Sequence, residues 1–153
     1  MLTTRFIVQA ALIASIYTVL TLVFAPLSFD LIQVRVSEGL TVLPYFTPAA
    51  IPGLFAGCII SNFIAGNGLI DVIFGSLATL VAAFFSRKMP KRWLVPLPPV
   101  IINAIVVGLI LNYILKVPFL AAFGFVALGQ SIACYGLGYV LMLVLEKIKT
   151  RIF

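Results

Sequence analysis

Six side chains in this sequence have the types and placement to recognise a small polar ligand: Arg35, Glu38, Asp71, Asn103, Gln130 and Phe29. Glu38 and Asp71 supply carboxylates that accept hydrogen bonds. Asn103 and Gln130 supply amides that donate and accept. That set suits a flat, nitrogen-rich heterocycle better than a fatty or purely anionic ligand. Its centre is the stretch QVRVSEGLTVLP, Gln33 to Pro44, where Arg35 and Glu38 lead straight into an apolar segment. Three residues apart, the two share a helix face and suit a salt bridge at a lipid–water boundary. The other reading is that they edge a polar pocket, because ionisable groups in apolar surroundings are costly unless paired, wet or used. Each remaining candidate also has two readings. Asp71 is a helix-start carboxylate favoured by the dipole, or a ligand contact. Asn103 and Gln130 are polar glue between helices, or members of the same pocket. Phe29 is an anchor at the membrane surface, or a ring that stacks on the ligand.

Absences narrow the chemistry. Histidine is missing and only four residues are acidic, which leaves little for acid–base catalysis or a proton relay. There is no GxxxxGK[ST] phosphate loop, so the chain is not its own ATPase by that route. No Ser–Lys or Ser–His arrangement stands out. Cys58 and Cys134 lie inside apolar runs and read as packing residues, with no metal-ligand spacing around them. The expectation is a non-enzyme with no metal or cofactor of its own.

The elements that must position these residues are membrane helices. Of 153 residues, 63% are hydrophobic and 9% charged. The mean hydropathy is +1.27, and several apolar runs are long enough to cross a hydrocarbon core of about 30 Å. Punctuation divides the chain into six expected helices in a single all-α membrane domain, 1–153: about 5–25, 34–46, 49–65, 69–87, 95–115 and 119–149. The markers are Pro26, Thr47-Pro48, Gly66-Asn67-Gly68, the basic turn RKMPKR and Lys116-Val117-Pro118. The second helix is too short to cross upright on its own. Asn103 and Gln130 lie about nine and eleven residues into their helices, at mid-membrane depth for a rise of about 1.5 Å per residue. Ala10 and Ala14, with the offset pair Ala11 and Ser15, make a small-residue face on the first helix. Gly53 and Gly57 do so on the third. Either face serves internal packing or docking of a partner.

Charge sets an expected orientation. With both termini inside, the inner side holds Arg5, Arg87, Lys88, Lys91, Arg92, Lys147, Lys149 and Arg151, and the outer side only Arg35 and Lys116. The positive-inside rule selects that arrangement, which turns the polar set toward the outside. The net charge of +6 is spread over helix ends and forms no single patch for nucleic acid.

The stretches QVRVSEGLTVLPYFTPAAIPGLFAG, GLIDVIFGSLATL and PLPPVIINAIVVG resemble the queuosine-precursor transporter family (QueT), in a pattern that runs from the first helix to about Gly138. The resemblance implies a six-helix S component of an energy-coupling factor (ECF) transporter in a bacterial cell membrane. Such a component captures its substrate from outside. A transmembrane coupling protein and two ATPase subunits, which consume ATP, drive release inside. The resemblance also implies that Ala10 and Ala14, an AxxxA face on the first helix, meet the coupling protein. The implied substrate is a 7-deazaguanine. Its guanine-like edge offers two adjacent N–H groups to a carboxylate, Glu38 or Asp71, and a carbonyl to an amide, Asn103 or Gln130. An aminomethyl substituent would be cationic and favour a second carboxylate. The resemblance leads one to expect an acid where this chain has Gln130, a difference that would bear on which precursor is preferred if that position contacts the ligand. The alternative function is a stand-alone secondary transporter or facilitator for a small nitrogen heterocycle. It asks for a coupling-ion site that the sequence does not display.

Overall fold

The computed structural model describes residues 3–28 and 33–152, with side chains described as far as 148. All regular structure among them is helical. Helix α1 (Thr4–Val23) starts where the Thr3 hydroxyl accepts the Phe6 N–H at 3.3 Å, a standard N-cap. A single turn, α2 (Ala25–Ser28), follows. Pro26 was expected to end the first helix. It lies instead in the first turn of α2, where a missing N–H costs nothing because that group has no intrahelical acceptor.

The segment expected as the second helix is a ten-residue 3₁₀ helix, Val36–Tyr45. At about 2.0 Å per residue it reaches about 20 Å, against about 15 Å for an α-helix of equal length. It forms the central rod of the fold, packed on by α1, α3 (Ala50–Ala65), α4 (Ser76–Lys88), α7 (Tyr139–Ile152) and the π-helical stretch Ile132–Gly138. Contact between rod and π-stretch is backbone to backbone. A Cβ added to Gly138 would stand 2.8 Å from the Gly39 carbonyl oxygen and 3.2 Å from its Cα.

Helix α3 ends at Gly66, whose φ of 71° allows the Asn67 N–H to turn back onto the Asn62 carbonyl at 3.4 Å. The next helix opens with a π-turn, Asp71–Gly75, before α4. Helix α5 (Leu97–Leu115) stops at Lys116. The long last helix expected over 119–149 is α6 (Phe119–Ser131), the π-stretch and α7 in series. Helices α1 and α3 meet through glycines: a Cβ on Gly53 would be 2.7 Å from the Ala10 carbonyl oxygen, and one on Gly57 would be 2.9 Å from that of Ala14.

The molecule is apolar outside, and its apolar core encloses a set of buried polar groups. Leu12, Val19 and Val23 on α1, Phe63 on α3, and Leu120 and Leu128 on α6 are exposed, while Thr21, Ser37, Glu38, Asn62, Thr79, Asn103 and Gln130 are buried. So large an apolar surface does not face water on a soluble monomer. Among the described residues three helices, Thr4–Val23, Arg92–Leu115 and Phe119–Ile148, are long and apolar enough to cross a membrane, and Ala50–Ala65 is a shorter apolar helix. The basic turn after α4 and the last helix share one end of the bundle. Arg92 pairs with Glu146 at 2.8 Å, and Arg87 donates to the Pro44 carbonyl at 3.0 Å.

Candidate functional site

Glu38 lies near the start of the 3₁₀ rod and has no exposed surface. The eclipsed i, i+3 stacking of a 3₁₀ helix places Thr41 beside it, and the Thr41 hydroxyl donates to the Glu38 carbonyl at 2.6 Å. The side chain points into the bundle. Tyr17 of α1 donates to Oε1 at 2.5 Å, and the Thr79 hydroxyl of α4 lies 3.2 Å from the same oxygen. Asn103 of α5 donates to Oε2 at 3.2 Å. The Asn103 amide also donates to Gln130 Oε1 at 3.3 Å. Gln130 in turn accepts from the Cys134 thiol at 3.6 Å. One carboxylate thus joins four elements through three donors. A carboxylate offers about four acceptor positions, so its buried charge is well met by donors.

Of the residues expected from sequence, Glu38, Asn103 and Gln130 come together here. Arg35, also buried, lies in electrostatic reach of Glu38, Asp71 and Tyr17. Its guanidinium approaches the Cys58 sulfur at 3.7 Å, so the one-face pairing with Glu38 is not a surface salt bridge. Asp71 shares the Arg35 guanidinium with Glu38 and is linked to its cluster through Asn62, which donates to the Asp71 carbonyl and to the Cys58 sulfur. It sits in the π-turn, buried to 8% exposure, and lines a cavity of about 130 Å³ with Gln33, Asn67, Ile110, Leu111, Ile114 and Leu115. Phe29 lies outside the described residues. Ala14 is buried and Ala10 half-buried against α3. The small residues that α1 leaves exposed are Ala11 and Ser15. With Ala14, Thr18, Val19 and Ile60 they line a groove of about 420 Å³.

Sequence reasoning passed over Tyr17, Thr79, Cys58 and Cys134. Both cysteines, read as packing residues, touch the polar cluster. Cys58 receives Asn62 at 3.5 Å and Thr79 at 3.6 Å as well as Arg35. The signal that marks Tyr17 is a buried helical stripe, Ile13, Ala14, Tyr17 and Thr21. For Thr79 it is the run Ser76, Thr79, Ala83, Ser86 at helical spacing on α4. Both helices turn small or hydroxyl-bearing faces inward.

Chemically, the cluster can bind and orient. It offers a buried acceptor pair and two amides and, among the described residues, no cluster of three metal-ligating side chains. Comparison with known proteins gives a consistent picture. The model of a family described as QueT transporter matches residues 7–147. A curated relative, the queuosine precursor transporter QueT of Lactococcus lactis subsp. cremoris (strain MG1363), is 31% identical over 140 residues, covering 81% of this chain and 82% of the relative. No solved structure matches the chain significantly.

Proposed function

The chain belongs to the QueT transporter family, and from that premise we propose that it is the substrate-binding component of an energy-coupled importer for a queuosine precursor of the 7-deazaguanine type. The observation that carries the proposal is the Asn103 amide, which spans Glu38 Oε2 and Gln130 Oε1 at 3.2 and 3.3 Å. A guanine-like edge presents adjacent N–H groups of the same kind. A ligand that replaces the Asn103 contact places its donors on Glu38, and frees an amide to meet its carbonyl. The exchange conserves hydrogen bonds, which a buried polar site requires. Gln130 then acts as a neutral acceptor, and Glu38 supplies the charge that neutral amides lack.

The energy comes from other subunits in this reading. A coupling protein and two ATPases hydrolyse ATP, and the groove of Ala11, Ala14 and Ser15 on α1 receives the coupling protein. Both members of the AxxxA pair turn their carbonyls against α3, Ala10 at Gly53 and Ala14 at Gly57, and of the two only Ala14 lines the groove. Both termini and the basic ends lie inside, and the binding site opens outward through the ends of α3 and α4.

Uptake of a radiolabelled 7-deazaguanine by cells unable to make one tests the whole. Transport is expected only when the ATPase subunits are present. Ser15→Trp, at an exposed position, is expected to abolish transport while the purified chain still binds ligand. Transport without the ATPases would favour a stand-alone carrier, and undiminished transport in Ser15→Trp would remove the groove from docking. Orientation has its own check. Lys91 is exposed, and an amine reagent that cannot cross the membrane is expected to reach it only in inverted vesicles. Labelling in intact cells would reverse the topology.

A further inference from the structure

The proposed function assigns ring recognition to Glu38 and leaves Asp71 unexplained. Asp71 and Glu38 are the two buried carboxylates among the described residues. If the only role of Asp71 were to favour the start of a helix, water would serve it. Instead it is turned inward, 8% exposed, within a π-turn. Such turns are rare and recur at functional sites. Gly75, which closes the turn, leaves the room: a Cβ there would stand 3.0 Å from Asp71 Oδ1 and 3.4 Å from Asn62 Nδ2. The turn is braced from α3, where Asn62 donates to the Asp71 carbonyl at 3.2 Å. Asn62 itself has no exposed surface, and its Oδ1 has no hydrogen-bond partner among the described residues.

The space beside Asp71 is small and chemically one-sided. At about 130 Å³ it falls below the roughly 300–1,000 Å³ of sites that enclose whole small molecules. It fits a substituent. Its walls are Ile110, Leu111, Ile114 and Leu115, and its polar lining is Gln33, Asn67 and the Asp71 carboxylate. Counted at formal charge among the described residues, the buried Glu38 and Asp71 carry two negative charges and the buried Arg35 one positive charge, a sum of one unit negative. A buried, uncompensated negative charge is costly and favours a cation beside it.

We propose that the Gln33–Asn67–Asp71 cavity is a specificity subsite, separate from the Glu38 cluster, that takes a positively charged primary ammonium substituent of the ligand. Asp71 accepts its N–H groups and supplies the opposite charge. The apolar wall of Ile110 and Leu111 covers the carbon that bears it. Glu38 selects the ring and Asp71 selects the substituent. This division rests on the proposed function.

Binding of two 7-deazaguanines to the full chain tests it, one with an aminomethyl and one with a cyano substituent. The wild type is expected to prefer the ammonium-bearing ligand. Asp71→Asn is expected to weaken that ligand at least about tenfold, the loss of one charge-assisted hydrogen bond, and to leave the cyano ligand within about twofold. Retained cyano binding shows that the variant is folded. Asn67→Lys, a change in the turn before the helix, sets an ammonium of the protein's own beside Asp71 and is expected to abolish the same preference. Equal weakening of both ligands by Asp71→Asn, or unchanged preference in both variants, would overturn the subsite and leave the Glu38 reading standing. Failure of the wild type to bind either ligand would overturn the proposed function, and the subsite with it.

Discussion

Glu38→Gln is expected to weaken ligand binding by about 1–3 kcal/mol, the range for a buried hydrogen bond to a charged group. The substitution keeps the volume and removes the charge. It also turns one acceptor oxygen into an NH₂ donor, which must face the donors of Tyr17 and Thr79 on one side or Asn103 on the other. Facing Asn103 it sets donor against donor, and facing Tyr17 and Thr79 it forces a hydroxyl that now donates to accept instead. The free protein suffers the same conflict, so a lower thermal midpoint accompanies the loss of affinity. Calorimetry of wild type and variant with one ligand measures the first effect, and thermal unfolding the second. Unchanged affinity would remove Glu38 from the site.

The second large effect is at Gly138. Gly138→Val is expected to destabilise the fold by about 1–3 kcal/mol, the usual cost of overpacking. The obstruction is main chain, with the Gly39 oxygen 2.8 Å and Gly39 Cα 3.2 Å from the new Cβ, so no side-chain rotamer relieves it. The rod must move away from the π-stretch. Because Glu38 is one residue before Gly39, its carboxylate moves as well, and Tyr17, Thr79 and Asn103 lose a common partner. Lower thermal stability together with weaker ligand binding is the expected pair of results. Gly124→Val is the control, because a Cβ at Gly124 meets nothing within 4 Å. Equal behaviour of the two variants would contradict the close-packing account.

Much of the cluster was legible because polar groups in apolar helices are few and must find one another. Glu38, Asn103 and Gln130 are separated by 65 and 27 positions along the chain, yet burial leaves them few partners besides each other. Tyr17 and Thr79 were not legible, because Tyr and Thr are ordinary residues in membrane helices. Only the choice of inward face, a tertiary fact, sets them apart. The same holds for the backbone. Periodicity marks Val36–Tyr45 as a short helix, but it does not distinguish a 3₁₀ from an α form, nor show that Gly39 meets Gly138, 99 residues away. The π-turns at Asp71–Gly75 and Ile132–Gly138 leave no trace in composition. Ala10 and Ala14 show the opposite limit. Their spacing reads equally well as docking or internal packing, and only the glycines of α3 opposite them reveal how much of that face is already occupied.

The most direct test of the central claim is calorimetric binding to the purified chain, without partner subunits, using 7-deazaguanine bases, guanine and an unrelated vitamin. The account predicts saturable binding of a 7-deazaguanine by the wild type, about 5- to 150-fold weaker in Glu38→Gln, and none of the vitamin. A folded wild type that binds no member of the deazaguanine set, or binds it equally well without the Glu38 charge, would contradict it.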